Sequence, residues 1–325
     1  MNVVVVSSYP PRRCGIGAYA RTQVEALRWE GHRVLVVSPP DGGGDVRVPF
    51  FGGRPFREAT RLGGGADRIV VHFQPALYYR PRAPLSKIAT SLALLRLCRR
   101  RPQTEIVVHE ADVPRWWRPD ERLLRAAFAA APLLRFHTDR ERRAFERTYR
   151  VRPRAELVPH SEGVRVSGPT GRAEARRRLG LPDEERVLVS PGFLHPGKGV
   201  DRAVAAFRGP GRLYVVGSVK DATTENLAYA RRLRSLAGGA PGVELVERFV
   251  DDEEFDAWIA AADAVVLPYR RSWSSGVLAR AQSIGIPTVV TDVGGLAEQA
   301  SDRDIVVRGD EELAAALARV PEVTR

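Results

Sequence analysis

The chain has 325 residues, of which 44% are hydrophobic and 28% charged, a composition typical of globular proteins and not of disordered ones. Its formal net charge is +12, yet only three of its 51 basic residues are lysine: Lys87, Lys198 and Lys220. Cys14 and Cys98 lie far apart, which excludes a disulfide framework and a zinc pattern and indicates a reducing compartment. The basic residues are scattered without an RNA-binding or helix-turn-helix signature, so we expect no nucleic-acid partner.

The apolar run at residues 3–6 is interpreted as a first buried strand. It lacks a preceding basic region and a small-residue cleavage site, so it does not resemble a signal peptide. No apolar run reaches the roughly 18 residues that a membrane-spanning helix needs. We therefore expect a cytoplasmic protein, and the basic surface leaves open a peripheral association with an anionic membrane face.

Apolar runs alternate with helical stretches along the first half of the chain. The pattern predicts strands at residues 3–6, 32–38, 68–73, 105–109, 133–137 and 155–158. It predicts helices ending near residue 31 and spanning residues 85–100, 120–131 and 139–149.

The same alternation restarts after a glycine- and proline-containing linker at residues 168–171. Strands are predicted at residues 187–190, 213–217, 243–246, 264–267 and 287–291. Helices are predicted at residues 172–179, 198–207, 226–237, 251–262, 275–283 and 311–319. Strand–helix alternation favours parallel sheets covered on both faces. We expect two facing Rossmann-like, doubly wound α/β domains, residues 1–165 and 166–325, with ligands bound in a cleft between them.

A glycine-containing segment, Tyr-Pro-Pro-Arg-Arg-Cys-Gly-Ile-Gly at residues 9–17, follows the first strand and precedes a helix. Glycine lets a backbone approach a ligand closely, and a helix N-terminus favours an anion. Gly15 and Gly17 are therefore candidate phosphate-binding residues. A plain tight turn is the alternative.

A second segment, Ser-Pro-Gly-Phe-Leu-His-Pro-Gly-Lys-Gly, occupies residues 190–199 between a strand and a helix. Lys198 is one of three lysines in an arginine-rich chain, and a compact ammonium group at a helix start suits a phosphate. Ser274, Ser275 and Gly276 precede a later helix, whose first backbone amides suit the same kind of ligand.

Histidine occurs at the end of several predicted strands. His109 closes the strand at residues 105–109, and ligands of open α/β sheets bind at that edge, so His109 is a candidate catalytic residue. A histidine that merely holds a loop is the alternative. The remaining strand-end or loop histidines are weaker candidates, for which a structural role is the main expectation: His72, His137, His160 and His195.

Together with residues 249–255, 262–269 and 291–296, these segments resemble glycosyltransferase family 4, the retaining enzymes of GT-B fold, over nearly the whole chain. The resemblance implies transfer of a hexose from a nucleotide-diphosphate sugar to a hydroxyl of a glycan, a lipid-linked acceptor or a small molecule, with no metal or other cofactor. It implies that His109 lies near the acceptor and the transferred sugar, and that Arg248 and Phe249 lie near the nucleotide base. It places the donor diphosphate against six residues: Gly15, Gly17, Lys198, Ser274, Ser275 and Gly276.

The chain departs from the family pattern at three positions. Phe193 stands where the family often has an arginine, and Ser272 and Arg280 stand where it has two glutamates separated by seven residues. The second glutamate accepts hydrogen bonds from ribose hydroxyls, whereas arginine can only donate. Arg280 is therefore a candidate contact for a phosphate or hydroxyl oxygen, with a solvated helix residue as the alternative. A degenerate fold that acts as a binding or scaffold protein is the alternative function that these changes favour.

Other enzymes on the same fold fit the sequence less well. The scarcity of lysine argues against a pyridoxal-dependent phosphorylase, and the lack of paired carboxylates argues against a hydrolase or an epimerase. Asp263 is expected to have a structural role, bonding a loop amide. Two aromatic pairs are interpreted either as platforms for a sugar or lipid chain or as loop anchors: Tyr78 with Tyr79, and Trp116 with Trp117.

Overall fold

The computed structural model describes residues 1–110 and 118–320. The chain divides into two compact units, Met1–Gly163 and Val164–Arg325, beside the expected ranges of 1–165 and 166–325. Each unit is built on a parallel sheet whose successive strands are joined through helices, except β2 and β3 of the first unit. Trp116 and Trp117 lie outside the described residues.

The first unit has a seven-stranded sheet in its described residues, with the order β3-β2-β1-β4-β5-β6-β7. Its strands are β1 (Asn2–Val6), β2 (Arg33–Ser38), β3 (Val46–Arg47), β4 (Arg68–Phe73), β5 (Thr104–Val108), β6 (Leu133–Phe136) and β7 (Ala155–Leu157). Its helices are α1 (Gly15–Trp29), α2 (Arg54–Leu62), α3 (Pro75–Tyr78), α4 (Pro84–Arg100), α5 (Pro119–Ala129) and α6 (Asp139–Tyr149). A short 3₁₀ turn, His160–Gly163, ends the unit.

Strand β1 is the centre of this sheet. Its valines are buried on both faces, as parallel strands covered by helices require, and it pairs in parallel with β2 on one side and β4 on the other. The strand order reverses between β1 and β4. Open α/β sheets bind ligands beyond the carboxyl ends of the strands at such a reversal. The segments that follow β1 and β4 are therefore positioned for a functional site.

The second unit has a six-stranded sheet in its described residues, with the order β10-β9-β8-β11-β12-β13. Its strands are β8 (Val187–Pro191), β9 (Arg212–Gly217), β10 (Val243–Glu247), β11 (Ala264–Leu267), β12 (Thr288–Thr291) and β13 (Ile305–Val307). Its helices are α7 (Arg172–Leu179), α8 (Val200–Ala206), α9 (Thr224–Gly238), α10 (Asp252–Ala261), α11 (Gly276–Ile284), α12 (Leu296–Gln299) and α13 (Asp310–Arg319).

Alternate residues of β8 pack into two different cores. Val187 and Val189 belong to a buried cluster on one face of the sheet with Trp258, whereas Leu188 belongs to a second cluster with Phe207. This alternation is the two-residue period of a strand that is covered on both faces. The strand order of this unit reverses between β8 and β11, so the loops after these two strands mark its ligand edge.

Several features differ from the sequence-based expectation. Helix α1 already begins at Gly15, so residues 15–17 of the glycine-containing segment form its first turn and residues 9–14 precede it. Five elements were not predicted: β3, β13, α2, α3 and α12. Helix α2 buries chiefly Phe56 and Ala59 among charged residues, so its apolar stripe is too narrow to be recognised as a helical period.

Candidate functional site

The loops after β8 and β11 are held against each other at the strand-order reversal of the second unit. The backbone amide of Arg270 donates to the carbonyl oxygen of Gly197 at 2.9 Å. Gly199 has φ of +61°, and a Cβ on it would lie 2.2 Å from the carbonyl oxygen of Pro268. Only glycine permits this approach, and the contact fixes the position of the preceding residue, Lys198.

The ammonium nitrogen of Lys198 lies 3.8 Å from the centre of the Tyr269 ring. A cation over an aromatic face gains about 0.5–2 kcal/mol, which holds the side chain near the end of β11. In the described part of the chain no carboxylate forms an ion pair with Lys198, and the residue is half-buried. Its charge is therefore available to an anionic ligand.

Two further cations accompany Lys198. The pKa of His195 is lowered to about 4, chiefly by burial and further by the positive charges of Lys198, Lys220 and Arg271. These three charges make the surroundings of His195 electropositive. Sequence reasoning missed Lys220 and Arg271. Their position in the sequence could have revealed them, because Lys220 follows β9 and Arg271 follows β11.

The start of helix α11 differs in one respect from the phosphate-binding helix N-terminus expected there. Ser275 caps the helix, since its Oγ accepts from the amide of Leu278 at 3.2 Å. Its own amide donates to Oε1 of Gln299 at 2.9 Å, while Nε2 of Gln299 donates to the Ser275 carbonyl oxygen at 2.7 Å. The Ser275 amide is thus occupied, and the first-turn amides of Gly276 and Val277 are the ones that lack an acceptor within the helix.

The segment before α11 interlocks with the turn after β12. The hydroxyl of Ser272 donates to the carbonyl oxygen of Ser274 at 2.8 Å. Gly294 has φ of +57°, and a Cβ there would lie 1.7 Å from the carbonyl oxygen of Ser272. The loops after β8, β11 and β12 consequently form one rigid edge around Lys198 and Gly276.

Arg280 does not extend towards this edge. Its Nε donates to Oδ1 of Asp256, its Nη1 lies 3.2 Å from Oδ1 of Asp252, and its Nη2 donates to the Asp252 carbonyl oxygen at 3.0 Å. Burial lowers the pKa of Arg280, but its hydrogen bond to Asp256 and the charges of both aspartates outweigh this effect and raise the pKa overall. All three guanidinium nitrogens of Arg280 are engaged between α10 and α11, and the contact with a phosphate or hydroxyl oxygen expected of this residue stays a prediction.

The residues expected near the nucleotide base follow the edge strand β10 and not the strands at the reversal. The guanidinium of Arg248 is bonded to the carboxylate of Glu254, with Nη1 and Oε2 2.7 Å apart. Phe249 is 39% exposed. Their contact with a base stays a prediction.

Two structural expectations can be compared directly with the structure. Asp263 is buried and accepts from the amide of Val187 at 2.7 Å and from Nη2 of Arg176 at 3.1 Å, which confirms its structural role. Tyr78 is fully buried and donates to the carbonyl oxygen of His72 at 2.8 Å, so it is an anchor and not a platform for a ligand. Tyr79 bonds Oγ of Ser91 at 2.9 Å.

In the first unit, four histidine rings surround one tyrosine at the carboxyl ends of the strands. The ring centre of Tyr19 lies 5.5, 5.1, 5.4 and 5.3 Å from those of His72, His109, His137 and His160, respectively. We call these five residues the histidine–tyrosine cluster. Only His109 was predicted as functional, and the structure brings the other three to the same place because successive parallel strands end at one edge.

Three of the four histidines of the histidine–tyrosine cluster, and its tyrosine, are neutral near pH 7. Burial lowers the pKa of His72 to about 3, that of His137 to about 4 and that of His109 well below its usual value. Burial also raises the pKa of the Tyr19 hydroxyl. The Tyr19 hydroxyl and His137 Nε2 are buried and have no hydrogen-bond partner among the described residues.

The two glycines of the first helix turn differ in their surroundings. A Cβ on Gly17 would meet atoms of Ser8 at 3.4 Å, an ordinary packing distance. A Cβ on Gly15 would have no neighbour within 4 Å. Packing therefore gives no reason for glycine at residue 15, and the phosphate contact predicted there remains open to test.

Residues 1–110 and 118–320 contain no group of three or more His, Cys, Asp or Glu side chains arranged to hold a metal ion. None of the helices in these ranges is both long enough and apolar enough to cross a bilayer.

Two parallel-sheet Rossmann-like units, each with its ligand edge at a strand-order reversal, define the class of the protein as an α/β protein of the GT-B fold. Solved structures confirm this fold. Sucrose-phosphate synthase from Thermosynechococcus elongatus superposes with a TM-score of 0.71 at 18% identity, covering 98% of this chain and 89% of the other. HepE of Anabaena in complex with UDP-glucose gives a TM-score of 0.68 at 17% identity, covering 98% and 89%.

Sequence comparison matches the chain to glycosyltransferases. The family described as Glycosyl transferases group 1 matches residues 185–322. A D-inositol 3-phosphate glycosyltransferase of Nocardioides is 36% identical over 183 residues, which are 51% of this chain and 40% of the relative. A GDP-mannose-dependent alpha-mannosyltransferase of Mycobacterium tuberculosis is 25% identical over 314 residues, 90% of this chain and 79% of the relative. The chain thus spans less than half the length of the inositol-phosphate relative.

Proposed function

We propose that this protein is a retaining glycosyltransferase that moves a hexose from a nucleotide-diphosphate sugar to a hydroxyl acceptor without a metal ion. The observation that carries the proposal is the charge of Lys198, which is held over Tyr269 beside the start of α11 and forms no ion pair within the described residues. A fixed cation and a helix N-terminus at one ligand edge suit a diphosphate.

The chemistry follows from what a leaving diphosphate requires. As the bond between the sugar and the diphosphate breaks, negative charge develops on the diphosphate oxygens, and preorganised cations and amides lower the barrier by stabilising it. Lys198 and the amide of Gly276 would supply this stabilisation. Arg271 and Lys220, both near His195, would replace the charge that Phe193 does not carry.

Retention is supported by the family resemblance and by one relative. The relative is described as a GDP-mannose-dependent alpha-mannosyltransferase, and the sugar of GDP-mannose is itself alpha-linked. The donor diphosphate would help to remove the proton of the acceptor hydroxyl, and His109 would contact the acceptor or the transferred sugar. The family resemblance also supports the absence of a metal ion from this reaction.

For the acceptor, we propose a hydroxyl-rich molecule. The inositol-phosphate relative makes a polyol phosphate the first compound to test. A cytoplasmic location and a peripheral contact with an anionic membrane belong to the same proposal. The net charge of +12 favours that contact, and sedimentation with anionic vesicles at low and high salt tests it.

The first experiment is a thermal-stability titration with UDP, GDP, ADP and TDP, in the presence and absence of EDTA. A ligand at 100 times its dissociation constant adds about 2.7 kcal/mol of stability, which raises the melting temperature measurably. We expect one nucleotide to stabilise the protein equally well with EDTA. The corresponding nucleotide sugars are then tested for transfer, with product anomers assigned by NMR. Absence of stabilisation by all four nucleotides would favour the scaffold alternative.

A further inference from the structure

Three side chains of the first unit form a continuous hydrogen-bonded chain. Oε1 of Gln23, on helix α1, lies 3.1 Å from Nε2 of His72, which is fully buried on β4. Nδ1 of the same imidazole lies 2.9 Å from Nε2 of His109, directly after β5. Both nitrogens of His72 are therefore used, one on each neighbour.

The proton positions in this chain follow from the chemistry of its ends. An amide oxygen can only accept, so Nε2 of His72 must carry a hydrogen and donate it to Gln23. Burial keeps His72 neutral, so its Nδ1 is left as an acceptor. Nε2 of His109 must then donate to it. His109 is also neutral, and its Nδ1 retains a lone pair.

We propose that Gln23 and His72 are positioning residues that fix His109 in the Nε2–H tautomer, so that His109 presents Nδ1 to its ligand solely as a hydrogen-bond acceptor. No described residue bonds to Nδ1 of His109. The side chain that follows, Glu110, bonds instead to Gln74 at 2.7 Å. The acceptor nitrogen of His109 is thus left for a bound molecule.

This inference rests on the proposed function and narrows it. A neutral imidazole that only accepts can bind a hydroxyl group through the hydroxyl hydrogen, whereas a phosphate oxygen at neutral pH offers it no hydrogen. The group that meets His109 is therefore a neutral hydroxyl of a carbohydrate or polyol, and phosphate groups of donor or acceptor bind elsewhere.

The neighbours of His109 support a neutral ring. The titratable groups that face it are His72 from β4, His137 after β6, His160 from the turn after β7 and Tyr19 from α1. Glu162, in the same turn as His160, lies near Tyr19, and its negative charge contributes to the raised pKa of the tyrosine hydroxyl. The four imidazoles are in ring contact, so a positive charge on one of them would disfavour a positive charge on another. No carboxylate bonds to the ring of His109 in the described residues.

The direct test is the tautomer itself. A two-dimensional ¹⁵N–¹H NMR spectrum of histidine-labelled full-length protein at pH 7.5 distinguishes Nδ1–H from Nε2–H at each of the six histidines. We expect Nε2–H at His109. His137 supplies an internal reference of opposite tautomer, because its Nδ1 lies 3.0 Å from the carbonyl oxygen of Val158 and must be the donor. A proton on Nδ1 of His109 would overturn the proposal.

Two substitutions of similar size separate positioning from packing. His72→Asn keeps a carbonyl oxygen near the place of Nδ1, whereas His72→Leu has no acceptor there. We expect His109 to keep Nε2–H in His72→Asn and to populate both tautomers in His72→Leu and in Gln23→Leu. An unchanged His137 signal shows that the cluster is still folded. If His109 keeps its tautomer in both leucine variants, Gln23 and His72 do not set it and the proposal is wrong.

Kinetics give an independent readout once transfer is measured. His72→Leu should lower kcat by about tenfold, less than the roughly 10²–10⁴-fold effect of a positioned acid–base group itself, with the KM for the nucleotide sugar little changed. His72→Asn should recover most of this loss. Equal losses in the two variants would contradict a positioning role. A protein that shows no transfer at all refutes the proposed function, whereas the tautomer of His109 is measured without substrate.

Discussion

Lys198 and Tyr269 form a cation–π pair, with the ammonium nitrogen 3.8 Å from the ring centre. The pair joins the loop after β8 to the loop after β11, the two strands at which the strand order of the second unit reverses. A lysine held in this way keeps its charge accessible while its side-chain entropy is already reduced. This geometry favours binding of a diphosphate without rearrangement of the loop.

Lys198→Ala should abolish the stabilisation by the best nucleotide diphosphate while leaving the fold intact, because the lost charge has no carboxylate partner in residues 1–110 and 118–320. The measurement is the melting temperature with and without nucleotide. Lys87→Ala, on helix α4 of the first unit, is the matched control and should respond to nucleotide as the wild type does. A full nucleotide response in Lys198→Ala would contradict this role.

Arg280→Ala should destabilise the second unit by about 3 kcal/mol, since it leaves the buried carboxylate of Asp256 without its guanidinium. Chemical unfolding measures this loss. Nucleotide affinity, corrected for the unfolded fraction, should stay within about twofold, because a structural ion pair contributes nothing directly to ligand binding. A large loss of affinity without a loss of stability would restore the nucleotide contact inferred from the sequence.

Arg271→Ala should give the opposite result. Arg271 is exposed, and its substitution should change the free energy of unfolding by no more than about 0.5 kcal/mol. Removing its charge from the ligand edge should weaken nucleotide diphosphate binding severalfold, with a smaller effect at high salt. Calorimetric titration at two ionic strengths tests this, and an affinity equal to that of the wild type at low salt would exclude Arg271 from the site.

Gly15→Ala separates a functional glycine from a structural one. A Cβ at this position has open space within 4 Å, and alanine is favoured over glycine in a helix by up to about 1 kcal/mol. We expect the variant to be as stable as the wild type or more so, but to bind donor or acceptor more weakly if a ligand approaches the backbone there. Unchanged kcat and KM would assign Gly15 to a plain helix start.

Acid should unfold the protein over a window set by its buried histidines. The pKa values of His72, His137 and His195 are lowered from 6.5 to about 3, 4 and 4, so below pH 6.5 the unfolded state binds protons that the folded state does not. Their contribution to stability is complete above pH 6.5 and is lost as the pH falls towards 4. Each histidine adds up to about 1.4 kcal/mol per pH unit to this slope.

The slope can be assigned by urea unfolding between pH 7.5 and 4.5, where most carboxylates are still ionised. His195→Gln should lower the slope below pH 6.5, because one buried neutral imidazole is removed. A wild-type stability that does not change between pH 6.5 and 4.5 would show that these histidines are accessible to protons in the folded state.

The sequence predicted most elements because their signals are local. Residues 3–6 of β1 and all of β11 are continuous runs of apolar residues, and helix α6 begins with a capping box formed by Thr138 and Glu141. Helix α1 was misjudged at its start because glycine and a cysteine without a side-chain cap give no helix signal. The position of Lys198 at a ligand edge was also recognisable. All strands of a parallel sheet end at the same edge, so a loop that follows such a strand lies at that edge.

The sequence by itself therefore determined the two parallel sheets and the strand ends that carry Lys198 and His109. The tertiary structure decided what each side chain meets. It engaged Arg280 with Asp256, occupied the Ser275 amide with Gln299 and gathered four histidines around Tyr19. The physical reason is range: periodicity and capping act over a few residues, whereas these contacts join residues 24 to 141 positions apart, and only the packing of whole elements brings them together.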